Sequence, residues 1–167
     1  MKFKRTHDKL YLKENRYDRP KEMFKFIFKK SFIKKNANEV IGDFGCAAGE
    51  FLYFLNKNLT NKSLIGIDVR KDLLKKAKKF VPEANFIRGS VEKKNILKKN
   101  SVNKAFMIGV HPIFDDFEKS FTNLISWTKP KGKIFICDMF NPYPVDVLIK
   151  YKLSNNIKTN FFERGWD

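Results

Sequence analysis

Val40-Ile41-Gly42-Asp43-Phe44-Gly45-Cys46-Ala47-Ala48-Gly49-Glu50 is the stretch on which the reading of this chain turns. Val40–Phe44 is a short apolar run and reads as a buried strand. It passes directly into small residues, and an apolar helix follows from Glu50 through Leu55. The small side chains at 45, 47, 48 and 49 allow a ligand to approach the backbone. A second element supports this corner. Ser63–Asp68 reads as another strand, and it stops on a carboxylate 23 residues after Gly45, where a ribose could be held.

Further along, apolar and polar segments alternate. Leu73, Leu74, Ala77, Phe80 and Val81 mark one helix face, which Pro82 closes. Asn85–Arg88 is a third short strand, followed by a Lys-rich helix or turn to Asn100. Lys104–Val110 is a fourth strand ending at His111-Pro112. Phe117, Phe121, Leu124, Ile125 and Thr128 define another helix. Lys129-Pro130-Lys131-Gly132 reads as a turn and Lys133–Met139 as a fifth, central strand. Val145–Leu153 reads as a helix, and Asn160–Trp166 as the start of a sixth strand. Upstream, Met1–Arg19 is a basic polar arm. Pro20 opens a helix whose Phe24, Ile27, Phe28 and Phe32 recur at helical spacing between lysines; a helix covering a sheet is expected there. Strands alternating with helices imply a parallel sheet with right-handed crossovers and ligands at the strands' carboxyl ends.

Length and composition bound the remainder. The 167 residues suit one domain, and the 43% hydrophobic content supplies a core. Met1–Asp18 has no apolar signal core, and no apolar run is long enough to span a bilayer. Two isolated cysteines support neither a disulfide framework nor a zinc site. A soluble, reduced, cytoplasmic protein is expected. The net charge of +17 invites an anionic partner. However, 29 of the 35 basic residues are lysines. They are spread along the chain, and read first as a solvated surface.

The ligand can be narrowed by charge. NAD would place its pyrophosphate on the helix N-terminus, where Asp43 and Glu50 would oppose it. No Gly-Lys-Ser/Thr follows, so a P-loop is excluded. A ribose-bearing ligand with a positive centre and no phosphate fits better, and S-adenosylmethionine is one.

Here Val40–Asn141 resembles the class I S-adenosylmethionine-dependent methyltransferases. Asp43-Phe44-Gly45-Cys46-Ala47-Ala48-Gly49 resembles their first motif, and Gly66-Ile67-Asp68 the second. Gly89-Ser90-Val91 stands at the third motif, beside adenine, and Ile108-Gly109-Val110-His111 at the fourth, facing the methyl. Lys129-Pro130-Lys131-Gly132 is similar to the Lys-Pro-Gly turn before strand five. Two departures stand out. Ala47 occupies the usual second glycine, tolerable if its φ is negative. Ser90 occupies a frequent aspartate.

The resemblance implies a three-layer α/β/α doubly wound, mostly parallel sheet of seven strands, the last antiparallel. With five strands legible and a sixth starting near Phe161, the chain is expected to stop short of the last strand and the natural protein to continue. The implied division is a basic arm and capping helix over 1–36 and a Rossmann-like methyltransferase domain over 37–167. Asp43, Gly45, Cys46, Ala47, Gly49, Asp68, Val69, Ser90, Val91, Ile108 and Gly109 would contact S-adenosylmethionine, which would leave as S-adenosylhomocysteine. His111 would be a base. Tyr17, Arg19, His111, Phe114 and Tyr143 would contact the acceptor. His7 reads as a solvated arm residue. Asp115 and Asp116 read as helix-dipole partners, and no resident metal is expected at Asp138 and Asn141. Asn141-Pro142-Tyr143-Pro144 follows strand five, not strand four, so adenine or cytosine N-methylation is unsupported. The first functional expectation is methylation of a small polar acceptor: a sugar, a phosphorylated metabolite or a natural-product precursor. The alternatives are an RNA or protein methyltransferase using the lysine surface, or a non-catalytic binding module.

Overall fold

The computed structural model describes residues 8–114, 116–138, 140, 143, 147–151 and 162–166. His7, Asp115, Asn141, Pro142 and Pro144, singled out above, lie outside them.

The chain builds α1 (Asp8–Lys13), α2 (Glu22–Ser31), β1 (Asn36–Phe44), α3 (Glu50–Asn58), β2 (Thr60–Asp68), α4 (Lys71–Phe80), β3 (Asn85–Arg88), β4 (Val102–Ile108), α5 (Phe117–Trp127) and β5 (Thr128–Cys137). Two strands follow, β6 (Val147–Tyr151) and β7 (Phe162–Trp166). The first five strands form one sheet in the order β3-β2-β1-β4-β5, with every pairing parallel. Strand order reverses between β1 and β4. At such a switch point the two outgoing loops part, leaving a crevice beyond the strand ends.

The sheet is filled on both faces because its strands alternate. Phe106 of β4 packs on one side with Phe24, Ile27, Phe51, Leu52 and Leu55 from α2 and α3. Its neighbours Ala105 and Met107 pack on the other with Phe44, Leu124 and Trp127. Phe44 and Trp127 stack at 5.4 Å, and Phe106 and Phe135 at 4.9 Å. The α2 helix therefore covers the sheet with Phe24, Ile27 and Phe28, as its periodicity predicts, whereas Phe32, expected on the same face, is the C-cap and stands exposed. Asp116 caps α5, its carboxylate accepting from the Glu118 N–H at 3.1 Å.

Four expectations need correction. The arm contains the short helix α1. Residues 129–132 do not separate β5 from α5; they lie within β5, where pairing with β4 slips between Val102 and Lys104 and Lys131 takes φ +65°. The turn residues are thus accommodated as a bulge. The segment read as a helix over 145–153 contains β6, paired antiparallel with β7. A short run such as Val147-Leu148-Ile149 does not distinguish helix from strand by spacing, and its β-branched residues favour the strand. Strand β5, read as central, is the edge of the five-stranded sheet.

The loop after β1 is bent by three left-handed residues, Gly45, Ala47 and Gly49. Gly45 has φ +88°, and a Cβ there would lie 2.3 Å from a Val110 methyl, so this position admits glycine alone. Ala47 has φ +46°. Its φ is positive, contrary to the condition under which alanine was expected to be tolerable, and the left-handed conformation costs roughly 1–2 kcal/mol for a residue with a Cβ. Ala47→Gly should relieve that strain, less the extra unfolded-chain entropy of glycine, for a net gain of about 0.5–1 kcal/mol. Thermal unfolding should show a higher Tm; a lower one would contradict the strain.

Candidate active site

The loop is fixed to the end of β2. The N–H groups of Gly45 and Cys46 donate to the Ile67 carbonyl at 2.8 and 2.9 Å, and the Ala47 N–H donates to Asp68 Oδ2 at 2.9 Å. The other oxygen, Oδ1, accepts the Arg70 N–H at 2.9 Å. Asp68 is therefore oriented by backbone N–H groups on both of its oxygens.

Two cavities meet at this corner. The first, of about 210 Å³, is lined by Asp43, Gly45, Cys46, Ala47, Ile108 and Gly109 among others. The second, of about 220 Å³, is lined by Val69, Ser90, Val91 and Glu92 among others. Asp68, Gly45, Val110 and Ile113 line both. Of the residues expected to contact the cofactor, only Gly49 lines neither cavity. A Cβ there would lie 2.8 Å from that of Ala77, so Gly49 serves the packing of α3 against α4.

The electrostatics favour a cation. Asp43 is buried, and desolvation, then the nearby Asp68, push its carboxyl up to about 8. Burial, and after it the same two carboxylates, push the Cys46 thiol well up. Burial raises Glu50 too, while the Arg16 N–H, donating at 3.0 Å, opposes this. A positive ligand would relieve these carboxylates; a pyrophosphate would aggravate them.

The arm forms one wall of the first cavity. Tyr11 and Lys21 line it. Lys76 of α4 holds the arm, its ammonium donating to the carbonyls of Tyr11, Leu12 and Glu14 as α1 ends. Tyr17 is placed otherwise than the acceptor reading supposes. It is buried, lines neither cavity, and stacks on Phe80 at 3.6 Å. Its hydroxyl donates to the Ala48 carbonyl at 2.8 Å. Burial, with Glu50 nearby, pushes this phenol up. Tyr17 thus seals the arm to the loop.

The other acceptor candidates are dispersed. Arg19 and Tyr143 are exposed and line neither cavity, whereas Phe114 lines the second, with Ser90 and Val91. His111 opens a single 3-10 turn, His111–Ile113, directly after the fourth strand's loop. It lines neither cavity, but its neighbour Val110 lines both. Its ring sits 5.3 Å from Phe117 and 5.5 Å from Phe140. Among the described residues, no three His, Cys, Asp or Glu side chains gather as a metal site would require. Tyr11, Lys21 and Glu92 were missed from sequence. Glu92 follows Ser90 closely enough to have been suspected, but nothing local marks Tyr11 or Lys21.

Comparison with known proteins agrees with this geometry. A family model described as a methyltransferase domain matches residues 35–164. A protein of Invertebrate iridescent virus 6 named "Putative methyltransferase 235L" is 25% identical over 116 residues, covering 68% of this chain. The chain spans 43% of that relative's length. A crystal structure of a SAM-dependent methyltransferase from Aquifex aeolicus aligns with TM-score 0.59 at 20% identity, covering 75% of this chain and 69% of the other. A coclaurine N-methyltransferase crystallised with S-adenosylhomocysteine aligns at TM-score 0.62 and 9% identity, covering 77% of this chain and 36% of the other. A family model spans most of the chain, and strand order reverses at the loop that Asp68 clasps; this protein belongs to the methyltransferase-domain family, the class I S-adenosylmethionine-dependent methyltransferases.

Proposed function

We propose that this protein transfers the methyl group of S-adenosylmethionine to a small polar acceptor docked beside His111. The observation that carries the reading is the pair of cavities joined at Asp68. One has the size and carboxylate lining for the charged amino-acid half of the cofactor, and the other offers a half-apolar slot for adenine. Asp68 would accept the ribose hydroxyls. Asp43 would face the positive end, and Lys21 the terminal carboxylate. Glu92, joined to Ser90 at 3.3 Å, would take the adenine amino group where Ser90 lacks a carboxylate. The arm and capping helix within 1–36 would serve the domain over 37–167 as a wall of the cofactor site, in the cytoplasm.

When bound, S-adenosylmethionine supplies an electrophilic methyl carbon on a sulfonium. The chain's task is then alignment: it holds the acceptor atom in line with the sulfur–carbon bond. Asp43, Asp68 and Lys21 would hold the methyl donor, and His111 would take the proton that the acceptor gives up on methylation.

Asp68→Asn keeps an oxygen for the Ala47 N–H but removes the charge. Calorimetry should show at least a tenfold loss of S-adenosylmethionine affinity, and unchanged affinity would displace Asp68 from the ribose. His111→Gln should leave cofactor affinity intact and lower kcat by about 10²–10⁴, read as S-adenosylhomocysteine release. An unchanged kcat would remove the base role.

The pH dependence follows from Asp43. Its carboxyl is raised to about 8 in the folded protein, against an ordinary value of 3.8. The folded state therefore binds the extra proton between these values, and its stability falls as pH rises through that window. A cationic ligand favours the ionised form. Affinity for S-adenosylmethionine should then rise from pH 6 to 8 and level off above, with proton release seen as a buffer-dependent binding enthalpy. Asp43→Asn should abolish both effects.

A further inference from the structure

The outer face of α2 is an exposed strip of lysines and aromatic rings that the cofactor site does not use. Residues 22–35 hold five lysines against one glutamate, Glu22, which pairs with Lys25. Phe24 and Ile27 point inward, whereas Phe26 is 60% and Phe32 76% exposed. Each exposed ring has an ammonium beside it: Lys30 lies 5.7 Å from the Phe26 ring, and Lys133 of β5 lies 5.6 Å from that of Phe32. Phe32 caps α2 with φ +51°, a left-handed conformation that a bulky residue rarely takes and that glycine or asparagine usually supplies. The backbone is thus strained at the residue whose ring stands furthest into solvent.

We propose that this strip binds single-stranded nucleic acid, with bases stacked on Phe26 and Phe32 and phosphates neutralised by the flanking lysines. Sequence-independent strand binding takes the form of aromatic platforms within a positive track. Lysine suits contacts that need charge and no bidentate geometry. An anionic membrane fits less well, since an interfacial helix needs a broad apolar face turned to the lipid, and that of α2 is spent on the core. The strip begins beside the cofactor cavity, which Met23 and Phe24 line. It rests on α2 and β5, not on the acceptor reading, so the two can fail separately.

The test is fluorescence anisotropy of a fluorescein-labelled 20-nucleotide oligothymidine titrated with the protein. Saturable binding is expected at 50 mM salt, weakening steeply toward 200 mM. Phe26→Ala with Phe32→Asn should weaken it at least about tenfold with the salt slope unchanged. Lys29→Glu with Lys30→Glu should flatten the slope. Asparagine accepts a positive φ, so Phe32→Asn should not lower Tm, and loss of binding cannot be put down to unfolding. The thermal shift with S-adenosylmethionine should persist in these variants. The proposal is overturned by absent binding at 50 mM salt, by affinity indifferent to both rings, or by capture on phosphatidylserine vesicles without oligothymidine binding.

Discussion

The contact on which this structure depends is the 2.9 Å hydrogen bond from the Ala47 N–H to Asp68 Oδ2. It ties the loop leaving β1 to the residue that ends β2, closing two neighbouring strands into one rim. The loop reaches this bond only through its left-handed turn. Gly45 must have no Cβ, because Val110 at the end of β4 fills that space. Ala47 must accept φ +46° to aim its N–H at the carboxylate. A single geometry thus fixes three strand ends around one crevice, and the backbone strain there is offset by a charge-assisted hydrogen bond.

That rim carries a second cost, of charge. Asp43 is buried, and desolvation, then the charge of nearby Asp68, pushes its carboxyl up to about 8. Ionising a buried carboxyl near a second carboxylate costs stability, and a cation bound at this corner would relieve that cost. The cofactor's positive sulfonium and ammonium fit a site that repels phosphate. On the proposed reading, this sign of charge would favour S-adenosylmethionine over a dinucleotide at the same strand–loop–helix corner.

The corner was legible in the sequence because its determinants are local: a strand ending in small residues, and a carboxylate ending the next strand. The inward face of α2 was legible as well, since Phe24 and Ile27 recur with the helical period. Other features rest on partners distant in sequence. Lys76 reads as one more solvated lysine until α1 brings three carbonyls to it. Tyr17 reads as a substrate contact until Phe80 stacks on it and Ala48 accepts its hydroxyl. Residues 129–132 have turn chemistry, and the sheet absorbs them as a bulge because β4 pairs on either side. In Val147–Tyr151 the local signal was present but read with the wrong period.

Charge teaches a related lesson about scale. A total of +17 spread over 167 residues says little about partners, because exposed lysines are individually well solvated and screened. Position changes their meaning. On α4, Lys76 is consumed by the end of a helix. On β4, Lys104 is nearly buried and pairs with Glu39 at 3.1 Å. Such lysines belong to the fold. On α2, the lysines instead flank rings that the core left outside, one of them held out by a strained backbone. Exposed aromatic surface costs solvation free energy, and a left-handed phenylalanine costs backbone energy. Where both costs fall among lysines with a single acidic neighbour, bland surface composition does not account for them, whereas a stacked, anionic partner would offset them together.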